Sequence, residues 1–279
     1  MLYELQLEKF QLIEPLCEMD FHLLPPVIIN GKISGRAWVD NPDKPKSALI
    51  WDKQYSLSLL GDENNSSFNS SLEQLLDEII VPDALSREFR EGWLSCPKRW
   101  GKKIENNELL PGRFPMRHER EYYVIHQSTG VKWENSIPPS FSLERITDDF
   151  LKRTDLENFG NLTDMITLRW NSAENFLRWG FGVCLVSGDN AVVSYCLSMG
   201  NFEGRCDVEI ETMEGYQRQG YGSLVARAFV DYALEEGYTE IGWDSFARNK
   251  PSIDMALKLG FKKREEHVCY SGKYLAKSQ

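Results

Sequence analysis

The chain has 279 residues, 42% of them hydrophobic and 27% charged, with Lys+Arg 32 against Asp+Glu 42. That balance suits one large globular domain or two domains of roughly 140 residues, and it excludes a mainly disordered chain. No stretch reaches the roughly 20 consecutive apolar residues of a membrane span, and Met1 to Glu8 lacks a basic patch followed by an apolar run. A cytoplasmic protein with no membrane partner is expected. The formal net charge of −10 argues against a nucleic-acid partner, because affinity for phosphate backbones comes mostly from Lys and Arg. It permits a cationic substrate without demanding one. Cys17, Cys96, Cys184, Cys196, Cys206 and Cys269 are scattered with no C-x-x-C pair, so reduced thiols are expected rather than a disulfide framework or zinc site.

Ser34 to Asp40 and Ser47 to Leu60 read as strands around a turn at Asn41-Pro42-Asp43. Asp62 to Ser71, rich in Asn, Ser and acidic residues, reads as an exposed loop. Leu72, Leu75, Leu76, Ile79 and Ile80 have helical spacing, which predicts a helix over Ser70 to Ile80. A second helix is expected over Asp83 to Trp93 and a strand over Glu121 to His126. Gln127 to Ser140, with Gly130 and Pro138-Pro139, separates the two halves and places a domain boundary near residue 140.

The second half begins with a strand over Phe141 to Ile146, followed by helical stretches over 147–155, 162–170 and 172–179. Phe181 to Ser187 and Ala191 to Met199 are apolar runs joined by the hairpin signal Gly188-Asp189-Asn190. Cys206 to Met213 alternates, with Val208, Ile210 and Thr212 on one side and Asp207, Glu209 and Glu211 on the other. An amphipathic helix over Tyr221 to Glu236 follows, then a strand over 240–246, a helix over 251–259 and a final strand over 261–271.

Between the alternating strand and the amphipathic helix lies Gln217-Arg218-Gln219-Gly220-Tyr221-Gly222. A helix start leaves backbone N–H groups unpaired and partly positive, so such a turn suits an anion, and its glycines let the backbone approach a pyrophosphate. A dinucleotide fingerprint would need a third glycine where Val225 stands, and a P-loop would need Gly-Lys-Ser/Thr. His22, His118, His126 and His267 offer no close ligand spacing, so no metal is expected.

With Gln217, Gly220 and Gly222 in Q/R-x-x-G-x-G/A, followed by Asn249 and by Leu259-Gly260-Phe261, the segment from Phe141 to Tyr274 resembles the GNAT superfamily of N-acetyltransferases. The whole length is similar to a bacterial two-part subgroup, on Gly35 to Asn41, Lys46 to Ile50, Trp170 to Gly182 and Tyr216 to Gly222. Some members of that subgroup are similar to antibiotic-resistance acetyltransferases, including the one for zwittermicin A. The resemblance implies an α/β (α+β) GNAT fold, a mixed, mostly antiparallel twisted sheet flanked by helices. It implies a smaller, degenerate GNAT-like domain over 1–140 and a catalytic domain over 141–279. Nothing in the first half matches the glycine motif again; that half either covers the acceptor cleft or is a degenerate repeat.

The implied cofactor is acetyl-CoA and the implied partner a small-molecule amine, with a homodimer left open. Backbone groups of Ile210, Glu211 and Thr212 would pair with the pantetheine arm. The N–H groups of Arg218, Gln219, Gly220, Tyr221, Gly222 and Ser223, together with Gln217, would cradle the pyrophosphate. Asn249 would contact the cofactor or cap its own helix, with Ser252 one turn on. Glu211 or Glu209 would accept the proton of the amine. Many relatives place a tyrosine where this chain has Ala256, which leaves Tyr270, Tyr221, Ser252 or water to protonate the departing thiolate. Trp170, Trp179 and Trp243 could line the acceptor pocket. Two other readings stay open: a non-catalytic sensor of coenzyme A or acyl-CoA, and a nucleotide-binding oxidoreductase domain.

Overall fold

A computed structural model describes residues 2–19, 21–130 and 132–275. The chain forms two compact units, 1–120 with 266–279, and 121–265. The boundary expected near residue 140 falls inside the second unit. The reason is apolar: Tyr123, Ile125 and Trp133 are buried in the same core as Phe229 and Ile241. Of the expected linker Gln127 to Ser140, residue 131 lies outside the described residues.

In the first unit the elements run β1 (Tyr3–Glu4), α1 (Leu24–Ile29), β2 (Arg36–Val39), β3 (Ser47–Trp51), β4 (Ser56–Gly61), α2 (Ser66–Asn69), α3 (Leu72–Leu75), α4 (Val81–Ser86), β5 (Glu91–Ser95) and α5 (Lys98–Glu105). β6 (Met116–Ile125) carries the chain into the second unit. There follow β7 (Phe141–Arg145), α6 (Asp148–Leu151), α7 (Phe159–Trp170), α8 (Ala173–Trp179), β8 (Gly182–Ser187), β9 (Val192–Phe202), β10 (Arg205–Thr212), α9 (Tyr221–Glu235), β11 (Glu240–Phe246) and α10 (Lys250–Lys258). β12 (Lys262–Lys273) returns the chain to the first unit.

Three expectations for the first half are corrected, the first being the exposed loop over Asp62 to Ser71, which contains α2 with Phe68 fully buried in the core. Ser47 to Leu60 is two strands, because the Asp52 carboxylate accepts the N–H groups of Gln54 at 2.7 Å and Ser56 at 3.0 Å, closing a turn in which Lys53 takes φ +61°. The helix expected over Asp83 to Trp93 ends at Ser86, and Trp93 and Leu94 are strand residues. Leu94 is fully buried because β5 pairs with β4 on one edge and β12 on the other, and that pairing overrides local propensity. The strand order here is β1-β2-β3-β4-β5-β12, antiparallel except for β4 with β5.

In the second unit the order is β6-β11-β10-β9-β8-β7. The ladders β7–β8, β8–β9 and β9–β10 are antiparallel and β10–β11 is parallel. Leu224, Val225, Ala228 and Phe229 of α9 share a core with Val183, Leu185, Cys196 and Ile241, and Val208 and Ile210 pack against it. Since strand side chains alternate, Asp207, Glu209 and Glu211 occupy the opposite face. There Arg169 of α7 meets Glu209.

Candidate active site

β10 is the strand on which the site is built. It pairs with β11 only at Arg205–Glu240, Cys206–Ile241 and Asp207–Gly242, while its ladder with β9 continues to Thr212–Ser194. Beyond Asp207 the parallel pair therefore splays, and the edge of Val208 to Thr212 that faces away from β9 has no strand partner among the described residues. The divergence coincides with a bulge: Asp207 faces Gly200 but Val208 faces Ser198, so Met199 is the extra residue on β9. A bulge of this kind bends the strand and raises its local twist. The open edge offers main-chain donors and acceptors to an extended ligand, as an added strand would.

The chain then turns through Met213 to Gly220 into α9. Gly220 is the N-cap at φ +88°, and Arg218 at φ +62° also lies in the left-handed region. The Gln217 side-chain amide donates to Thr212 O at 3.2 Å, and that of Gln219 donates to Gly215 O at 3.2 Å, so two side chains brace the turn from within. The first bond of the helix is Leu224 N–H to Gly220 O. The N–H groups from Arg218 to Ser223 have no protein acceptor among the described residues. They stand at the positive end of a four-turn helix, where an anion is stabilised. Nothing lies within 4 Å of where a Cβ on Gly220 would stand. At Gly222 a Cβ would come 3.2 Å from Thr212 Oγ1, so the second glycine keeps the helix start close to the end of β10.

The two candidate carboxylates differ in their partners. Glu209 is held by Arg169, Nη2 to Oε2 at 2.5 Å, with both side chains less than a quarter exposed. Glu211 accepts instead from a neutral group, the Tyr195 hydroxyl of the adjacent strand, whose Cα is its register partner. No protein donor reaches Glu211 Oε1 among the described residues. The charge of a carboxylate paired with a guanidinium is offset by its partner, whereas one bonded to a phenol keeps its full charge. Asp207, lowest in the wedge, is buried and accepts from Tyr122 Oη at 2.7 Å. Burial pushes its carboxyl up to about 7, against the stabilising bond from Tyr122. A Cβ on Gly242 would stand 2.0 Å from both Asp207 Oδ1 and Tyr122 Oη, so that position admits only glycine.

The remaining sequence candidates divide. Asn249 is the N-cap of α10, its side chain accepting from Ser252 N at 3.3 Å. Ser252 Oγ in turn accepts from Trp243 Nε1 at 3.0 Å. Tyr221 stacks on Phe141 with ring centroids 5.3 Å apart. Tyr270 belongs to the first unit: it lies in the core with Trp100, and its hydroxyl donates to Glu105 Oε1 at 2.8 Å. The second unit thus does not bring it together with Glu209 and Glu211. Trp170 is fully buried with its indole N–H on Ser198 O at 2.7 Å. Burial pushes the thiols of Cys96 and Cys17 up to about 12 and that of Cys196 further, which suits packing rather than nucleophilic attack. Tyr195, Arg169 and Tyr122 carry no signal in the sequence; only the strand ladder and the helix packing bring them to the carboxylates.

The GNAT acetyltransferase family model matches residues 26–270. The chain is 27% identical over 243 residues, 87% of each protein, to the uncharacterized N-acetyltransferase YdfB of Bacillus subtilis. Its fold is similar to that of a GCN5-related N-acetyltransferase-like protein from Streptococcus suis, TM-score 0.67 at 19% identity over 95% of this chain and 98% of that one. It is also similar to a tandem GNAT protein from the clavulanic acid biosynthesis pathway, TM-score 0.63 at 11% identity over 100% of both chains. With the glycine turn, the splayed parallel strands and a family match across both units in place, the chain belongs to the GNAT acetyltransferase family, as a two-part N-acetyltransferase that uses acetyl-CoA.

Proposed function

We propose that this enzyme transfers acetyl to the primary amine of a small molecule by direct attack, with Glu211 as the proton acceptor. The observation behind this reading is the partner difference on β10, where Glu209 is paired with the Arg169 guanidinium and Glu211 accepts only from the neutral Tyr195 hydroxyl. Three features of the second unit fit acetyl-CoA: free amides from Arg218 to Ser223, a glycine at 222 where a side chain would crowd, and an unpaired edge on β10. Bound there, acetyl-CoA supplies a thioester carbonyl that an amine can attack as the carbon–sulfur bond breaks. The amides of 218–223 would hold the pyrophosphate, and Ile210 and Thr212 would offer backbone groups to the pantetheine arm, whereas Glu211 O is turned to β9 and accepts from Ser194 Oγ at 2.8 Å. Thr212 O already accepts from Gln217, so that carbonyl braces the turn.

In this reading Glu211 takes the proton of the amine directly or through one water. A backbone N–H of the open edge supports negative charge growing on a carbonyl oxygen. Glu209 ties α7 to the sheet, and Asn249 and Ser252 secure the start of α10 below the turn. Ala256 is fully buried and offers no hydroxyl, which leaves Tyr221, Ser252 or water to return the proton to the departing thiolate. The test is thiol release from acetyl-CoA across a panel of polyamines, amino sugars and amino acids, with mass spectrometry of the product. Acetylation of a protein lysine in preference to every small amine would overturn the acceptor class.

A further inference from the structure

Tyr195 is one of the largest fully buried side chains of the protein, yet its ring carries a hydroxyl whose main partner is a half-buried carboxylate. It sits on β9 directly opposite Glu211 of β10, and the hydroxyl donates to Glu211 Oε2. Its other neighbour, Asn161 O at the start of α7, is 3.5 Å away, at the limit of a hydrogen bond. The backbone beneath is fixed as well: Ser194 Oγ donates to Glu211 O at 2.8 Å and meets Thr212 Oγ1 at 2.9 Å. Glu211 is thus clamped at its carbonyl and at one carboxylate oxygen by consecutive residues of the same neighbouring strand. Burial, then the bond to Glu211, pushes the Tyr195 phenol well above its ordinary range, so it is a permanent donor near neutral pH.

We propose that Tyr195 is a positioning residue for acetyl transfer, fixing Glu211 through Oε2 so that Oε1 is the oxygen that takes the proton from the attacking amine. The inference rests on the reading of Glu211 as proton acceptor. In the step it serves, the amine nitrogen bonds to the acyl carbon, the carbon–sulfur electron pair leaves with sulfur, the amine proton goes to Oε1, and Tyr221, Ser252 or water protonates the thiolate. A rotatable carboxylate would spend most of its time in other rotamers, and holding it in one is a contribution that the bare charge does not make.

The experiment is a double-mutant cycle of Tyr195 and Glu211 in the full chain, read two ways. In ligand-free protein the melting-temperature losses of Tyr195→Phe and Glu211→Ala, used here because a glutamine amide oxygen would still accept from the Tyr195 hydroxyl, are expected to be non-additive, the double variant losing little more than the larger single one. In turnover with the best amine of the panel, Tyr195→Phe is expected to lower kcat about tenfold, with KM for acetyl-CoA within about twofold and no further loss when added to Glu211→Gln. Additive melting-temperature losses overturn the proposal whether or not any amine turns over. Loss of kcat in Glu211→Gln with a parent-like Tyr195→Phe also overturns it and leaves the proton acceptor standing. A parent-like kcat in Glu211→Gln instead sinks the reading of Glu211, and the proposal with it.

Discussion

The two units repeat one strand plan and differ at one turn. In each, an antiparallel series leads into a parallel pair joined over three residues, β4 with β5 at Ser56–Ser58 and β10 with β11 at Arg205–Asp207. In each, a turn and a helical stretch connect the two parallel strands. After β10 the turn covers 213–220, contains two left-handed glycines at 215 and 220, and leaves the helix-start amides free. After β4 it covers only 62–65 and closes on itself. Asp62 accepts Asn64 N–H at 2.9 Å and Asn65 accepts Phe68 N–H at 3.2 Å. Arg99 binds Glu63 at 2.6 Å, Gly61 O at 2.7 Å, and Glu18. The Glu63 carboxyl is held below the usual carboxylate range by its own backbone N–H and by Arg99. The strand scaffold alone therefore does not leave helix-start amides open. A long, glycine-bearing turn does, and a short turn that supplies its own acceptors does not.

The sharpest break of this contrast is Gly220→Asp, which places a carboxylate at the positive helix start and forces an aspartate to φ +88°. Coenzyme A affinity by calorimetry should fall at least about a hundredfold, whereas Asn64→Asp in the other turn should leave it unchanged. Parent-like affinity in Gly220→Asp would remove the proposed pyrophosphate socket from the second unit. Next, Glu211→Gln should lower kcat about a hundredfold. Glu209→Gln should act mainly on stability, by about 1 kcal/mol in urea unfolding, through the lost pair with Arg169.

A pH effect on stability belongs to Asp207. Its folded carboxyl titrates at about 7, against 3.8 for the free group, with burial as the leading cause. Below both values the native and unfolded chains carry the same proton. As pH rises from about 4 to 7, the unfolded chain releases it first, so native stability falls and then levels off. Asp207→Asn should remove that slope and unfold later than the parent at pH 8, with the two converging toward pH 4. A parent curve without that difference would place Asp207 in a wetter setting. In the first unit, Arg99→Met should cost on the order of 1–2 kcal/mol in urea unfolding by freeing Glu63, Glu18 and Gly61 O, without touching coenzyme A affinity. The smallest effect is expected for Gly222→Ala, whose Cβ would sit 3.2 Å from the Thr212 hydroxyl. A few-fold loss of affinity accommodates that shift, and a complete loss would mean the turn cannot adjust.

Parts of this architecture that depend on near neighbours in sequence were legible. The helix over 221–235 follows from its apolar face, the hairpin from Gly188-Asp189-Asn190, and the alternation of β10 from residues 207–212. The expected continuous strand over Ser47 to Leu60 and the expected helix over Asp83 to Trp93 failed where a side-chain turn at Asp52 or a distant strand pairing decided the outcome. Tyr270 looked available as an acid because its partners, Glu105 and the Trp100 core, lie far from it in sequence. The choice between Glu209 and Glu211 was equally hidden, since their identical strand positions are separated only by Arg169 of α7 and Tyr195 of β9.

Local residue order was enough for the open turn before α9, because a glycine turn opening an amphipathic helix exposes main-chain amides through local dihedral freedom and hydrogen bonding alone. It also determined that the first half lacks one. Packing between distant segments set which carboxylate meets a guanidinium and which a phenol, how deep Asp207 is buried and where the units divide. Those outcomes depend on strand register and helix packing, which bring together residues that the chain order keeps apart.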